Sequence, residues 1–283
     1  MPAQVGIDHA LTHNRPYSPY RIATLLQHHP RKRFGQNFLH DPGVVQRIID
    51  AVDPVPGERL VEIGPGEGAL TFPLLERGAR LTVIELDRDL AGRLESHPAS
   101  GDQLQVVCGD ALKVPLTDVA AHGERLRLVG NLPYNVSTPL LFRFLDQLPV
   151  IRDMHFMLQR EVVERMAAGP GSKTYGRLSV MLAAACRVEP LFDIGPGAFR
   201  PPPKVWSSVV RLEPWSEAPF PVPDPARFAE VVRRAFGQRR KTLRNALSGL
   251  VDEEQIRAAG CDPGARAETL PPAAFAHLAL GRC

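Results

Sequence analysis

The sequence predicts an α/β fold: a parallel sheet with helices on both faces, then a small helical domain at the C-terminal end. From Arg59 onward, short apolar runs alternate with helix-like segments, the pattern of strand–helix–strand crossovers. A glycine loop, Gly64-Pro65-Gly66-Glu67-Gly68, follows the first run directly. Loops of that kind belong at the carboxyl edge of a parallel sheet. The proline-rich stretch Pro214–Pro225 then ends the alternation, and helical periodicity follows it. The 283 residues, 44% hydrophobic, suffice for one large domain and a smaller companion.

Each element has a local reason. Residues 1–30 show no sustained period and hold four of the nine histidines, which reads as a flexible leader. Asp41-Pro42 makes an N-cap and first-turn pair, and Val44, Val45, Ile48, Ile49 and Val52 form the stripe of the helix that follows. Pro54, Pro56 and Gly57 end that helix. Strands are predicted over Arg59–Ile63, Ala79–Leu86, Leu104–Ala111, Arg125–Tyr134 and Asp153–Gln159. Helices are expected from about Thr138 to Leu148, over the segment from Arg160, and over Ser179–Cys186. Three prolines lead into a strand around Val205–Leu212. Pro214–Pro225 reads as a linker between a domain over residues 31–213 and a helical one over 226–283. Asp224-Pro225 caps a helix striped by Phe228, Val231, Val232, Ala235 and Phe236; Leu243, Ala246, Leu247 and Leu250 continue as the next stripe.

Composition narrows the class. No apolar stretch approaches the roughly 20 residues that span a bilayer, and no signal-like segment opens the chain. Cys108, Cys186, Cys261 and Cys283 are scattered without metal-ligand spacing. That argues against a zinc site or a disulfide framework and fits a reducing cytoplasm. Net charge is only +3, but Arg227–Leu250 holds seven Lys/Arg and one acid. Such a cluster is either the footprint of an anionic partner or a solvated helix face.

Acidic residues close the next two strands after the glycine loop. Glu85 lies about 20 residues on, where a carboxylate accepts ribose hydroxyls. Asp110 stands where one accepts from an adenine amino group. Each could instead be a helix cap. The loop lacks the G-x-G-x-x-G spacing of dinucleotide sites and the G-K-[ST] of nucleoside triphosphatases. An adenosine ligand without phosphates, S-adenosylmethionine, fits the trio best; no metal is expected.

At the fourth strand's end stands Asn131-Leu132-Pro133-Tyr134. An adenine amine is a poor nucleophile because its lone pair is delocalised into the ring. Fixed acceptors for both amine protons, the Asn131 side-chain oxygen and the Leu132 carbonyl, would favour its pyramidal form and stabilise the charge growing on nitrogen. Pro133 stiffens the turn and Tyr134 offers a stacking face. The competing reading is a proline turn with Tyr134 packed in the core.

These motifs resemble the ribosomal RNA adenine N6-dimethyltransferases. The matching stretches are Arg31–Asp41, Val61–Thr71, Val83–Asp87, Gly109–Leu112, Gly130–Leu141, Met157–Met166, Phe199–Leu212 and Phe236–Leu247. The resemblance implies a class I methyltransferase (Rossmann-like) sheet. It implies dimethylation of a pair of adjacent adenosines near the 3′ end of small-subunit ribosomal RNA, in a pre-ribosomal particle, by a cytoplasmic monomer. Cofactor contacts carry over to Asn37, Leu39, Gly64, Gly66, Glu85, Asp110 and Asn131. Phe199 carries over as a second wall of the adenine pocket, with a core phenylalanine as its competitor. Arg239, Arg240, Lys241 and Arg244 match a basic motif that contacts RNA phosphates. The alternatives are a large-subunit adenine methylase of the antibiotic-resistance type and a non-catalytic RNA-binding or assembly factor.

Overall fold

The computed structural model describes residues 36–120 and 123–281. The expected leader, residues 31–35 of the first motif and Cys283 lie outside the described residues.

After a short strand β1 (Phe38–Leu39) comes α1 (Pro42–Val52), started as its sequence predicts: the Asp41 carboxylate accepts from the Val44 amide at 3.0 Å. The stripe Val45, Ile48, Ile49 and Val52 is buried, and Asp53 ends the helix in a left-handed conformation. Then follow β2 (Arg59–Ile63), α2 (Thr71–Glu76), β3 (Arg80–Glu85), α3 (Arg88–Glu95), β4 (Leu104–Cys108), β5 (Leu126–Asn131), α4 (Ser137–Leu145), β6 (Ile151–Gln159), α5 (Arg160–Met166), α6 (Arg177–Ala185), β7 (Cys186–Ile194), β8 (Phe199–Arg200) and β9 (Ser207–Pro214). The seven-stranded sheet has the order β4-β3-β2-β5-β6-β9-β7, and β1 pairs separately with β8. From β2 the chain winds outward through β3 and β4, then returns to lay β5 against the other side of β2. The strand order therefore reverses between β2 and β5, and crevices for ligands open at the carboxyl ends of such pairs.

Successive strand residues face opposite sides of the sheet, so each central strand feeds two cores. Val61, Leu128 and Phe156 pack with α4, α5 and α6; Leu60, Val129 and Met157 pack with α1 and α2. A third cluster holds α7 (Pro225–Gly237), α8 (Leu243–Ala246), α9 (Glu253–Ala258) and α10 (Pro272–Leu280), with Tyr175 and Val180 packed among them. Tyr175 donates its hydroxyl to the Leu270 carbonyl at 2.8 Å. Helix α6 thus shares its residues between the sheet's core and the helical one.

The sheet is mixed where the alternation predicts it parallel. β9 runs antiparallel to both β6 and β7. Strand β7 has no counterpart in the predicted elements, because Glu189 and Pro190 interrupt its apolar pattern. Its position explains the proline: β7 is an edge strand, and its register with β9 shifts between Pro190 and Phe192. The predicted helix to Leu148 stops at Leu145. The basic stretch Gln238–Lys241 is a turn, and α8 has only four residues.

Two buried ionisable groups stand out in this framework. Arg127 on β5 donates from Nε to Asp153 on β6 at 2.9 Å, and from its other nitrogens to Glu58 at 3.0 Å and to the Val52 carbonyl at 2.6 Å. It ties two strands to the C-terminal end of α1. Burial pushes the Asp153 carboxyl up, but the adjacent His155 ring and Arg127 guanidinium outweigh it and hold the pKa at about 2. The second is Glu62, 2% exposed in β2, which accepts from the Thr71 hydroxyl at 2.6 Å. Burial raises its pKa to about 8, opposed by the Thr71 bond and assisted by the charge of Glu85.

Replacing Arg127 with Met leaves Asp153 buried without its guanidinium. The expected loss is about 3–5 kcal/mol of unfolding free energy, read from urea denaturation; an unchanged midpoint would contradict the role given to Arg127. For Glu62 the folded pKa lies above the unfolded one. Its contribution is complete below about 4.5 and declines as pH rises toward about 8. Thermal melts of the parent should therefore fall behind those of Glu62→Gln progressively from pH 5 to 9. A constant difference across that range would refute a neutral Glu62.

Candidate active site

The reversal between β2 and β5 opens a cavity of about 330 Å³ into which polar groups converge among apolar walls. The glycine loop forms one wall. Gly64, Gly66 and Gly68 take φ of 65°, 59° and 87°, left-handed values that favour glycine. A Cβ on Gly66 would also meet the Phe38 ring at 3.0 Å. This segment of backbone therefore lies bare of side chains along the cavity, and the amides of its three glycines are spent on the Ile84 carbonyl, the Glu85 carboxylate and the Pro65 carbonyl.

Glu85 closes β3 beside it. One carboxylate oxygen accepts from the Gly66 amide at 3.1 Å and the other from the Asp87 amide at 2.8 Å. A carboxylate has about four lone-pair sites, so acceptor capacity remains toward the cavity. Burial raises the Glu85 pKa, and the bonds from Asp87 and Gly66 oppose that rise. Asp110 also lines the cavity, two residues beyond β4. It accepts from the Leu112 amide at 3.0 Å, so it stabilises its own turn and still presents oxygen to the cavity.

Opposite stand Asn131, Leu132, Pro133 and Tyr134, all in the lining. The Asn131 Nδ2 donates to the Asn37 carbonyl at 2.9 Å, which turns the side-chain oxygen into the available acceptor. The Leu132 side chain is buried, and its amide is spent on the Met157 carbonyl at 3.1 Å. Its own carbonyl accepts no hydrogen bond among the described residues. Pro133 opens a turn closed by the Val136 amide at 3.1 Å. The Tyr134 hydroxyl is held 2.5 Å from the Ser207 hydroxyl. Burial pushes the phenol up, with the Ser207 bond opposing. Tyr134 therefore stays neutral near pH 7, with its hydroxyl tied to Ser207. Leu39 lines the cavity from β1, next to Asn37.

Phe199, expected as a second wall, lies elsewhere. Pairing of β8 with β1 sets it opposite Leu39, where it is 1% exposed, packed in the α1-side core and absent from the lining. The four basic residues lie apart from the cavity, all exposed. Arg239 donates to the Lys173 carbonyl at 2.8 Å, and Arg244 approaches Glu253 at 3.7 Å. Upstream, Arg233 and Arg234 both close on Glu230 at 2.7 Å. Arg240 and Lys241 have no acidic partner among the described residues.

The cavity also includes Phe38, Glu62, Leu86 and Leu140, which sequence reasoning did not select. Glu62 had a signal: an acid inside the apolar run Leu60–Ile63. Leu86 had a weaker one, an apolar residue just past the strand-closing acid; it is 51% exposed.

Residues 27–280 match the family model described as ribosomal RNA adenine dimethylase. The chain is 57% identical over 258 residues to the ribosomal RNA small subunit methyltransferase A of Pseudomonas aeruginosa, covering 91% of this chain and 96% of that one. It is 58% identical over 257 residues to the protein of the same name from Methylococcus capsulatus, covering 89% and 98%. Among solved structures, a dimethyladenosine transferase from Plasmodium falciparum superposes with a TM-score of 0.70 at 25% identity, covering 85% of this chain and 95% of that one. The 23S rRNA methyltransferase ErmE follows at 0.66 and 25%, covering 86% and 98%. With a model that spans nearly its whole length and relatives this similar, the chain belongs to the ribosomal RNA adenine dimethylase family.

Proposed function

We propose that this chain is a cytoplasmic enzyme that dimethylates the N6 amino groups of a pair of adjacent adenosines near the 3′ end of small-subunit ribosomal RNA. It takes methyl groups from S-adenosylmethionine and acts as a monomer on a pre-ribosomal particle. The observation that carries the reading is the Asn131 amide, whose nitrogen is committed to Asn37 so that its oxygen accepts.

The cavity fits the donor. Glu85 and Asp110 would hold the ribose hydroxyls and adenine amine of the donor's adenosine. The bare backbone at Gly64 and Gly66, with Asn37 and Leu39, would close around its remainder. S-adenosylmethionine, when bound, supplies a methyl group on an electrophilic sulfonium. The chain's own residues do the rest. Asn131 Oδ1 and the Leu132 carbonyl would accept hydrogen bonds from the two N–H groups of the target amine, favouring its nucleophilic pyramidal form and stabilising the positive charge that grows on nitrogen. Tyr134 stacks on the flipped base, and Ser207 holds the ring in place.

The sheet and cavity suit a large-subunit methylase as well, since ErmE shares the fold. The difference in identity, 57% to a small-subunit relative against 25% to ErmE, supports the small-subunit substrate. Arg240 and Lys241, the exposed cations without acidic partners, are the proposed phosphate contacts of the helical domain over residues 226–283.

Labelled methyl transfer to unmethylated small subunits, with the modified nucleotides mapped, tests the reading directly. Asn131→Ala is expected to lower kcat by about 100-fold or more while subunit binding stays intact, and Tyr134→Phe to keep most activity that Tyr134→Ala loses. Parent-like turnover in Asn131→Ala would sink the mechanism. Arg240→Ala with Lys241→Ala should weaken subunit binding and flatten the slope of log K against log salt by about 1–2. An unchanged slope would remove both from the phosphate contacts.

A further inference from the structure

The loop between β8 and β9, Pro201–Trp206, exposes a tryptophan that neither the fold nor the cavity uses. Trp206 is 53% exposed and its neighbour Val205 42%. The backbone there is fixed: the Trp206 carbonyl accepts from the Arg160 amide at 2.9 Å. The ring lies against the Gly195 turn, where an added Cβ would come within 3.8 Å of it. One part of the indole is thus seated on the protein and the rest faces solvent.

Its position links it to the reaction. Ser207, the next residue, pairs with Gln159 at the carboxyl end of β6 and bonds the Tyr134 hydroxyl. The indole therefore stands at the same sheet edge as the catalytic turn, one residue from the group that holds Tyr134. Arg200, which ends β8, and Lys204 on the loop are exposed and have no acidic partner among the described residues. An exposed aromatic face flanked by free cations, continuous with a wall of the cavity, matches a single-stranded nucleic acid: phosphates meet the cations and a base meets the ring.

We propose that Trp206 is a stacking platform for a nucleobase of the substrate RNA next to the adenosine under modification. This rests on the function proposed above. A base splayed against Trp206 would be unstacked from its neighbour, which helps present the target adenine to Tyr134.

Methyl transfer to unmethylated small subunits, measured over a range of subunit concentrations, tests it. Base–aromatic stacking of about 1–3 kcal/mol predicts that Trp206→Ala raises KM about tenfold, with kcat changed less than about twofold. Trp206→Phe, which keeps a ring, should stay within about threefold of the parent, whereas Trp206→Leu should behave like alanine. A Leu variant equal to the parent would mean that the patch meets an apolar protein surface and would overturn the proposal. So would an unchanged KM in Trp206→Ala. Absence of turnover in the unaltered chain would instead bring down the function itself, and this inference with it.

Discussion

Strands β2 and β5 lie side by side although two helices and two strands separate them along the chain. That pairing places the glycine loop and the Asn131 turn at one crevice, and it depends on a close approach. A Cβ on Gly130 would sit 2.5 Å from the Ile63 carbonyl, backbone that cannot step aside. Gly130 is required there by crowding alone, since its φ is not among the positive ones. The cavity and the mutual position of Gly64 and Asn131 follow from this contact.

The sheet divides its polar residues between its two ends. At the amino end of β5 and β6, Arg127, Asp153 and Glu58 satisfy one another and the end of α1. At the carboxyl end, Glu85, Asp110 and Asn131 are each only partly satisfied by the protein. Buried polar groups with spare hydrogen-bonding capacity cost stability unless a ligand completes them. The first end holds the framework rigid, and the second presents the chemistry. Glu62 lies between these roles: it supports the glycine loop through Thr71 and touches the cavity as an uncharged acid at neutral pH.

The basic C-terminal segment shows why counting charges is not enough. Of its seven Lys/Arg, Arg233 and Arg234 pair with Glu230, Arg244 approaches Glu253, and Arg239 fastens the helical domain to the backbone at Lys173. The positive field open to a partner is correspondingly smaller than the composition suggests. Cations remote from that segment in sequence, Arg200 and Lys204, stand instead with the exposed Trp206 at the sheet's carboxyl edge.

Much of the fold was legible in the sequence because its signals are local. A strand buried on both faces reads as an apolar run, an N-cap reads as Asp41-Pro42 or Asp224-Pro225, and a loop that hugs a ligand reads as repeated glycine. The same locality hid β7, whose Glu189 and Pro190 are tolerated only because the strand lies at an edge. It also gave Phe199 two equal readings, which the pairing of β8 with β1 resolved by turning the ring into the core. Sequence alone determined which residue types are proposed to meet the cofactor and the adenine, since Glu85, Asp110 and Asn131-Leu132-Pro133-Tyr134 carry the matching chemistry. Only the tertiary structure decided which atoms of those residues are free to act. Whether Asn131 offers its oxygen, whether Glu62 carries charge, and which arginines remain without an acidic partner depend on partners brought from distant segments, and no local pattern encodes them.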